Sequence, residues 1–405
     1  MDIERLLEKI RTILNSAKHL ILLLRPLSEK EKSGLDSLSV HLRKEDSKQA
    51  HKLLKQLRIS IISKRIPYSR AITDLKEHPA IDPKDKAIAS VAEDLNSKIE
   101  KSIDSAIINE FRKDAYQRIQ KTFAPHIVGF ENVKKGVILQ LFAGDQFHIL
   151  LLGDPGTGKT DILRASEDIA PVSAFGLGSG TSNTGLTVTV RGNEISKGIL
   201  SLADKGIALI DELNLMKKED RAGLYNAMEK GFITYDKGGH HYRFDARCSI
   251  LASANPAKDK FAGKTKKEIE KQIPFDPALL SRFHLIYIIK EADIKQFMEI
   301  TDGVLDEKKH RASPDDMQFI KRYIEQSKSI DVEFIKDYND MIKKFIAEVK
   351  EKEDHMLVDV TPRFVIGLKR LIEASARIEM RKKVEKEDVW RAMEVFTLAM
   401  KDITF

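Results

Sequence analysis

One eight-residue stretch limits the fold of this chain more than any other feature. Residues 153–160 follow a short apolar run, His148–Leu152, and match the pattern G-x-x-x-x-G-K-[ST]. Glycines let such a loop curl so that its N–H groups face phosphate oxygens, and the N-terminus of the following helix adds a favourable dipole. The stretch therefore predicts a strand, a phosphate-binding loop and a helix in succession. The loop consists of Gly153, Asp154, Pro155, Gly156, Thr157, Gly158, Lys159 and Thr160.

Two side chains of this loop have the chemistry that a nucleotide requires. Lys159 would neutralise phosphate charge, and Thr160 would offer its hydroxyl to Mg²⁺. The combination predicts a nucleoside triphosphate with Mg²⁺ as the ligand.

Two further apolar runs end in polar side chains that suit the same ligand. Ile207–Ile210 is followed by Asp211 and Glu212. Ser249–Ala254 is followed by Asn255. One carboxylate can hold Mg²⁺ while its neighbour polarises the attacking water, and the amide can help to position that water. Because these runs read as parallel strands of one sheet, we expect the three polar side chains at the same sheet edge as the phosphate-binding loop.

The composition excludes several classes of protein. Of the 405 residues, 42% are hydrophobic, which is enough for a folded core and excludes global disorder. Aliphatic runs such as Leu20–Leu24 are far shorter than the roughly 18 residues of a membrane span, and no secretory leader opens the chain. The single cysteine, Cys248, excludes a disulfide framework and a multi-cysteine zinc site. We therefore expect a soluble intracellular protein, and its net charge of +7 suits a polyanionic partner without requiring one.

The chain reads as three regions. Apolar residues recur at helical spacing up to about residue 125, short apolar runs alternate with helical segments over 125–290, and residues 291–405 return to helix, with a start signal at Thr361-Pro362. The predicted fold class is α/β, with a parallel sheet between helical regions. The predicted boundaries are a helical N-terminal region at 1–80, a linker helix at 81–124, an α/β core at 125–290 and a helical segment at 291–405.

A single arginine adds a further candidate. Arg282 follows a proline-containing loop in Leu279–Phe283. Taken alone, it suits an ordinary surface ion pair. In an oligomeric ATPase, an arginine at this place would reach a neighbour's γ-phosphate and stabilise the charge of the transition state.

Four motifs, in this order along the chain, closely resemble the motor domain of the minichromosome maintenance (MCM) helicases, a branch of the AAA+ ATPases. They are Asp154–Thr160, Leu202–Glu212, Ala252–Pro256 and Leu279–Phe283. The likeness begins before the core at Ala124–Gly129 and continues through Thr361–Arg363, so that it covers roughly residues 105–400. It implies an AAA+ P-loop core with a C-terminal helical lid.

The resemblance also implies roles for individual residues. They are Lys159 and Thr160 in Walker A, Asp211 and Glu212 in Walker B, Asn255 as sensor 1, Arg282 as the arginine finger and Arg363 as sensor 2. In this family the two arginines act on the neighbouring subunit. The resemblance therefore implies a hexameric ring that binds ATP and Mg²⁺ between its subunits.

Two segments are similar to the hairpins that line the pore of MCM rings. Gly176–Lys197 stands where the family inserts a hairpin into its second core helix, and Phe232–Phe244 reads independently as a β-hairpin with an Asp-Lys-Gly-Gly turn. The resemblance makes Lys237, at the tip of the second hairpin, a contact for DNA phosphate. The adjacent His240 and His241 have no nearby third ligand, so no zinc site is expected there.

The chain departs from the family pattern in several places. MCM proteins usually carry an N-terminal oligonucleotide-binding barrel with a zinc-binding insertion, whereas the first 120 residues here read as helical and lack cysteine. His284 stands where the family has Asp, and Ala257–Phe261 replaces the usual Gly-Arg-Tyr. The helical segment contains a basic run that suits DNA contact, a solvated face or an oligomerising collar: Lys52, Lys55, Arg58, Lys64, Arg65 and Arg70.

The expected function is therefore that of an ATP-dependent DNA motor of the MCM type, working without sequence preference on single-stranded or forked DNA. It would act in the cytoplasm, at the nucleoid in a prokaryote. One alternative is an AAA+ protein remodeller, but the pore tip Lys-Gly-Gly-His-His favours phosphate over polypeptide. Another is an ATP-regulated DNA-binding initiator or scaffold, against which the intact Asp211, Glu212 and Arg282 argue.

Overall fold

The computed structural model describes the chain from residue 108 onwards, with short gaps. The described ranges are 108–191, 194–237, 240–258, 260–262, 265–291, 294–305, 314–355 and 359–403. The predicted helical N-terminal region, most of the linker helix and the basic run lie outside them.

A five-stranded parallel sheet forms the centre of the molecule, in the order β2-β5-β8-β1-β9. This confirms the predicted fold class. The predicted runs at 148, 207 and 249 all form strands of this sheet. Strand β2 was missed, because its sequence Ser-Ala-Phe-Gly-Leu is not a continuous aliphatic run. The strands are β1 (His148–Gly153), β2 (Ser173–Leu177), β3 (Val188–Arg191), β4 (Glu194–Lys197), β5 (Ile207–Asp211), β6 (Phe232–Lys237), β7 (His240–Asp245), β8 (Ser249–Ala254) and β9 (Leu285–Ile289).

Alternate residues of the central strands enter two separate cores. In β1, Ile149 and Leu151 face one core, and Leu150 and Leu152 face the other; all four are fully buried. Strands covered on both faces require an apolar residue at every position, which explains the continuous aliphatic run.

Helices cover both faces of this sheet. They are α1 (Ala115–Thr122), α2 (Glu131–Phe142), α3 (Lys159–Ile169), α4 (Asn183–Leu186), α5 (Ile199–Leu202), α6 (Ala222–Lys230), α7 (Lys266–Glu270), α8 (Pro277–Leu280), α9 (Ile294–Leu305), α10 (Pro314–Lys328), α11 (Asn339–Lys350), α12 (Pro362–Ile378) and α13 (Lys386–Ile403). None of the helices in the described ranges has both the length and the apolar character of a bilayer span.

The helices from α10 onwards form the lid. As predicted, α12 begins at Pro362 with Thr361 as its N-cap residue. Tyr323 of α10 and Leu368 and Leu371 of α12 are fully buried in the same core as Ile149, so the lid packs directly on one face of the sheet.

Two antiparallel hairpins stand outside the central sheet. Strands β3 and β4 pair from Val188 opposite Lys197 to Arg191 opposite Glu194. Strands β6 and β7 pair from Phe232 opposite Asp245 to Lys237 opposite His240. Both segments were predicted as hairpins. The turn residues 192–193 and 238–239 lie outside the described part of the chain.

Candidate active site

The phosphate-binding loop connects the end of β1 to the start of α3, as predicted. Gly156 and Gly158 have φ of +72° and +85°, values that L side chains rarely adopt, so glycine is required for the curl at both positions. The hydroxyl of Thr157 donates to the carbonyl oxygen of Asp154 at 2.8 Å and closes the loop from inside.

Lys159 lies inside this loop and is almost completely buried. Its Nζ donates to the carbonyl oxygens of Gly153, at 2.9 Å, and Asp154, at 2.6 Å. Burial lowers the pKa of Lys159 to about 8, and the nearby carboxylates of Asp154 and Asp211 oppose that shift. The ammonium therefore lies within a cradle of carbonyl oxygens, a position from which it can turn to a phosphate.

The predicted magnesium ligands meet in the structure. The Thr160 hydroxyl donates to Oδ2 of Asp211 at 2.7 Å, which joins the start of α3 to the end of β5. Mg²⁺ takes oxygen ligands, and in nucleotide sites one or two protein oxygens suffice because phosphates and waters supply the rest. These two oxygens fit that requirement.

Ser253 was missed from the sequence, yet it organises both Walker B acids. Its hydroxyl donates to Oδ1 of Asp211 in a short hydrogen bond and accepts from the N–H of Glu212 at 3.0 Å. Glu212 has a φ of +53°, which is uncommon for a residue with a side chain, and the Ser253 bond helps to hold it there. The available signal is a hydroxyl within the apolar part of this run, Ile250–Ala254.

Asp154 also has a role that the motif did not indicate. One of its carboxylate oxygens accepts from the N–H of Phe261 at 2.8 Å, and the other accepts from the N–H of Glu291 at 3.2 Å. The side chain thus ties the phosphate-binding loop to the chain segments that follow β8 and β9. No local sequence signal distinguishes this role from that of a loop residue.

Asn255 follows directly after β8, at the same carboxyl edge of the sheet. Its backbone N–H donates to Oδ1 of Asn214 at 3.0 Å. The structure therefore brings Thr160 and Asp211 into direct contact. Lys159 lies in the loop beside them, and Glu212 and Asn255 lie at the ends of neighbouring strands, as the strand pattern predicted.

Arg282 lies at the opposite, amino edge of the sheet. It stands three positions before Leu285, the first residue of β9. The neighbouring His284 donates its backbone N–H to the carbonyl oxygen of His148, the first residue of β1, at 2.9 Å, so this segment lies beside the start of β1. The phosphate-binding loop begins at the other end of β1, about 17 Å away along the strand. The structure does not bring Arg282 to the nucleotide site of its own chain.

Arg363 shares this amino edge with Arg282. Its Nη1 donates to the carbonyl oxygen of Ser281 at 2.6 Å, and burial together with the charge of Arg282 lowers its pKa. Arg282 itself donates to Oε2 of Glu229 at 2.8 Å and stacks over the Tyr225 ring at 4.8 Å. The two guanidinium groups thus lie side by side, in contact with residues of α6 and with the C-terminal end of α8.

Two histidines, His148, which is buried, and His284, which is half-buried, support this edge, and no sequence pattern relates them to each other. The N–H of His148 donates to Nδ1 of His284 at 3.0 Å, and Nδ1 of His148 accepts from the N–H of Ile250 at 3.2 Å. Burial lowers the pKa of His148 to about 3 and lowers that of His284 well below its usual range. A neutral ring is required because both Nδ1 atoms act as acceptors.

Lys237 was predicted at the tip of the hairpin, within an Asp-Lys-Gly-Gly turn. In the structure it is the last residue of β6 and pairs with His240, so Asp236 and Lys237 belong to the strand. The turn itself lies outside the described residues. The contact of Lys237 with DNA stays a prediction.

Comparisons with known proteins agree with these observations. The family model of the MCM P-loop domain matches residues 104–307, and that of the MCM AAA-lid domain matches residues 318–400. The minichromosome maintenance protein MCM of Saccharolobus solfataricus is 28% identical over 367 residues, which cover 82% of this chain and 53% of that protein. The DNA replication licensing factor mcm7-B of Xenopus laevis is 33% identical over 310 residues, covering 70% of this chain and 43% of that protein.

The chain thus spans about half the length, or less, of these curated relatives. Its matched part includes the phosphate-binding loop, the strand that carries Asp211 and Glu212, the strand before Asn255, both arginines of the amino edge and the lid. From these matches, and from the parallel sheet that carries the motifs in family order, we conclude that the chain belongs to the MCM family, with its nucleotide-binding P-loop domain and its AAA-lid.

Proposed function

We propose that this chain hydrolyses ATP at the interfaces of a hexameric ring and uses that hydrolysis to move along, and unwind, DNA. The site would lie between two copies. One copy contributes Lys159, Thr160, Asp211, Glu212 and Asn255 from its carboxyl edge. The next copy contributes Arg282 and Arg363 from its amino edge.

The separation of these two edges is the observation that supports the proposal most strongly. Arg282 and the phosphate-binding loop lie at opposite ends of β1, about 17 Å apart along the strand. An arginine side chain spans less than half of that distance. A head-to-tail contact between identical copies would bring the two edges together at every interface, and it forms a ring when the rotation between copies closes.

Within such a site each residue has a distinct task. The Lys159 ammonium would exchange its carbonyl partners for phosphate oxygens. Thr160 and Asp211 would hold Mg²⁺, which when bound neutralises part of the phosphate charge. Glu212 would polarise the attacking water, Asn255 would orient it, and Arg282 and Arg363 of the next copy would stabilise the charge that develops on the transferred phosphoryl group.

The DNA part of the proposal depends on the hairpins and on the family. Relatives in the comparison are named DNA replication licensing factors, and both hairpins of this chain stand outside the sheet that holds the nucleotide site. A ring would direct such hairpins to its channel, where Lys237 would contact a phosphate of single-stranded or forked DNA. The place of action would then be the cytoplasm, at the nucleoid in a prokaryote.

A paired assay tests this function. ATP turnover is measured with and without single-stranded DNA, and strand separation is measured on a forked duplex. We expect DNA to stimulate turnover and the fork to be unwound, and Glu212→Gln to bind ATP but hydrolyse it slowly. Lys237→Ala should keep basal turnover and lose DNA stimulation and unwinding, whereas Lys343→Ala, an exposed lysine on α11, should behave as the parent does.

The same assay separates the alternatives. A protein remodeller would hydrolyse ATP with no special dependence on DNA or on Lys237. A DNA-binding initiator or scaffold would bind DNA under ATP without unwinding it. Unwinding at the parent rate by Lys237→Ala would contradict the role assigned to that lysine.

A further inference from the structure

Asn214 lies in the turn that follows Asp211 and Glu212 and leads toward α6. It lies two residues after Glu212, in a short 3-10 helix, Leu213–Leu215. Its side-chain oxygen accepts the backbone N–H of Asn255 at 3.0 Å. An N–H can only donate, so the atom that faces it must be the amide oxygen, and the orientation of the Asn214 side chain is determined by this contact.

This bond stands where the backbone pairing of two strands has stopped. The backbone ladder between β5 and β8 begins where Ile207 pairs with Ser249 and ends where Ile210 pairs with Ala252. Beyond it, side-chain bonds connect the two chain segments: the Ser253 hydroxyl reaches Asp211 and Glu212, and Asn214 then reaches Asn255. These bonds act as two further rungs of the ladder at the point where the catalytic side chains begin.

The turn that carries Asn214 is itself firmly held. Arg221 is 7% exposed, and its guanidinium donates twice to the carbonyl oxygen of Met216, at 3.1 and 2.8 Å, and once to that of Asn214, at 3.4 Å. The N–H of Leu215 also donates to the carbonyl oxygen of Glu212 at 2.9 Å. These bonds hold the backbone of the turn, so the protein itself keeps the side-chain oxygen of Asn214 in position.

We propose that Asn214 is a positioning residue for the hydrolytic step: by accepting the N–H of Asn255 it fixes the main chain from which the Asn255 side chain extends toward the water attacking ATP. The inference depends on the proposed ATP hydrolysis. It requires a hydrogen-bond acceptor at position 214 and nothing else of that side chain. An aspartate at this position would satisfy the same requirement, whereas a leucine of nearly the same size would not.

The test compares Asn214→Leu with Asn214→Asp in the full chain. The leucine variant should lower kcat about tenfold and leave the Kd for a non-hydrolysable ATP analogue within about twofold, because the loss of a part-buried hydrogen bond that positions a catalytic group costs a factor of this order. The aspartate variant should keep kcat within about threefold of the parent. Leu215→Ala, which changes an exposed neighbour in the same turn, is the matched control and should leave both constants unchanged.

A double-substitution cycle separates positioning from a general loss of structure. If Asn214 acts through Asn255, adding Asn214→Leu to an Asn255→Ala protein should cause no further loss of kcat. Full additivity of the two losses would overturn the proposal. So would an unchanged kcat in Asn214→Leu, a failure of Asn214→Asp to restore it, or an equal loss of ATP-analogue affinity. Should the leucine variant not fold, Asn214→Ala removes the acceptor without adding bulk.

Hydrogen exchange provides a measurement that does not depend on ATP turnover. In the nucleotide-free protein the Asn255 amide should be protected in the parent and in Asn214→Asp, and should exchange at least about tenfold faster in Asn214→Leu. If the parent hydrolyses no ATP, the proposed function fails, and the exchange result alone still decides whether Asn214 holds Asn255. Equal exchange in all three proteins would refute that contact.

Discussion

The two ends of the central sheet differ in how complete they are. At the carboxyl end, Lys159, Thr160, Asp211 and Ser253 bond to one another or to the loops beside them, and Lys159, Asp211 and Ser253 are buried. At the amino end, Arg282 and Arg363 bond to main-chain oxygens and to Glu229, whose side chain is 53% exposed. The carboxyl end carries the nucleotide-binding loop of the P-loop domain, and the proposed function gives the amino end the task of completing a neighbour's site.

This difference teaches where precision is needed in a shared site. Groups that must recognise phosphate and Mg²⁺ are preorganised within one chain, because small misplacements there weaken every electrostatic contact. In the proposed ring the arginines would instead act on a nucleotide held by another chain, which suits their place at the edge of the sheet opposite their own phosphate-binding loop. The His148–His284 pair lies beneath this edge, and the Phe147 ring stacks on the His284 ring with their centroids 4.7 Å apart; these contacts support the edge.

The largest expected effect concerns the presented end. Arg282→Ala should lower ATP turnover about a thousandfold or more, the usual effect of losing an arginine that stabilises phosphoryl transfer from a second chain. Lys159→Ala should also be inactive, because its chain cannot hold the phosphates. Mixed in equal amounts, the two proteins should recover activity, since about a quarter of head-to-tail interfaces would then combine an intact Lys159 with an intact Arg282.

The measurement is steady-state ATPase activity across mixing ratios, with co-assembly followed by light scattering of differently tagged copies. The control is Arg118→Ala, which removes an exposed arginine of α1 that pairs with Asp114, the residue before this helix. It should leave ATP turnover unchanged, both alone and in the mixtures. Co-assembled mixtures that stay inactive at every ratio would show that Arg282 does not act on a neighbour.

The second effect is on stability and again belongs to the amino end. The folded chain keeps His148 neutral down to about pH 3, whereas in the unfolded chain the ring takes up a proton near pH 6.5. The unfolded state therefore binds more protons in that interval, so the free energy of unfolding falls as the pH drops below 6.5. The loss is up to about 1.4 kcal/mol per pH unit for each such histidine, and His284 adds to it in the same direction.

Urea unfolding at about pH 7.5, 6.5 and 5.5 measures this slope in a range above most carboxylate titrations. The charged groups facing the pair are Arg370 and Arg363, and both disfavour protonation further. His148→Asn and His284→Asn should each flatten the slope, whatever they do to stability at neutral pH. An equally steep slope in both variants would assign the acid sensitivity to other groups.

The same contrast explains how much the sequence could predict. The carboxyl end was predicted almost residue by residue, because a parallel sheet brings strand ends together and each end carried a polar side chain. Lys159, Asp211 and Asn255 follow buried runs that are visible without any structure. The bounds of β1 and β5 were each one residue short, because their last residues, Gly153 and Asp211, are not aliphatic.

The amino end could not be predicted in this way. No local pattern relates Arg282 to Arg363, which is 81 positions further along the chain, and only the family resemblance suggested that they work together. Asn214 and the histidine pair depend on contacts between distant segments, such as the bond between residues 148 and 284. The long-range packing that creates these contacts has no periodic signal in the sequence.

The smallest expected effect returns to the carboxyl end, where the pH dependence runs the other way. Burial lowers the pKa of Lys159 to about 8, and a bound phosphate would favour the charged form and raise that pKa. Above about pH 8, ATP binding must therefore include uptake of a proton by Lys159, and affinity should fall about fivefold from pH 8 to pH 9. The second ionisation of phosphate, near pH 6, is complete by then and adds nothing to this range.

Calorimetric titration with a non-hydrolysable ATP analogue, in two buffers of different ionisation enthalpy, measures both the affinity and the proton uptake. Lys328 is the matched control, because burial lowers its pKa to about 8 as well, yet its Nζ faces the carbonyl oxygen of Lys205 at the amino end of the sheet. Lys328→Met should leave the pH dependence of binding as it is. An affinity that stays constant from about pH 7.5 to 9.5, with no proton taken up, would mean that Lys159 is already fully charged before ATP binds. Burial in the loop would then not lower the pKa of Lys159.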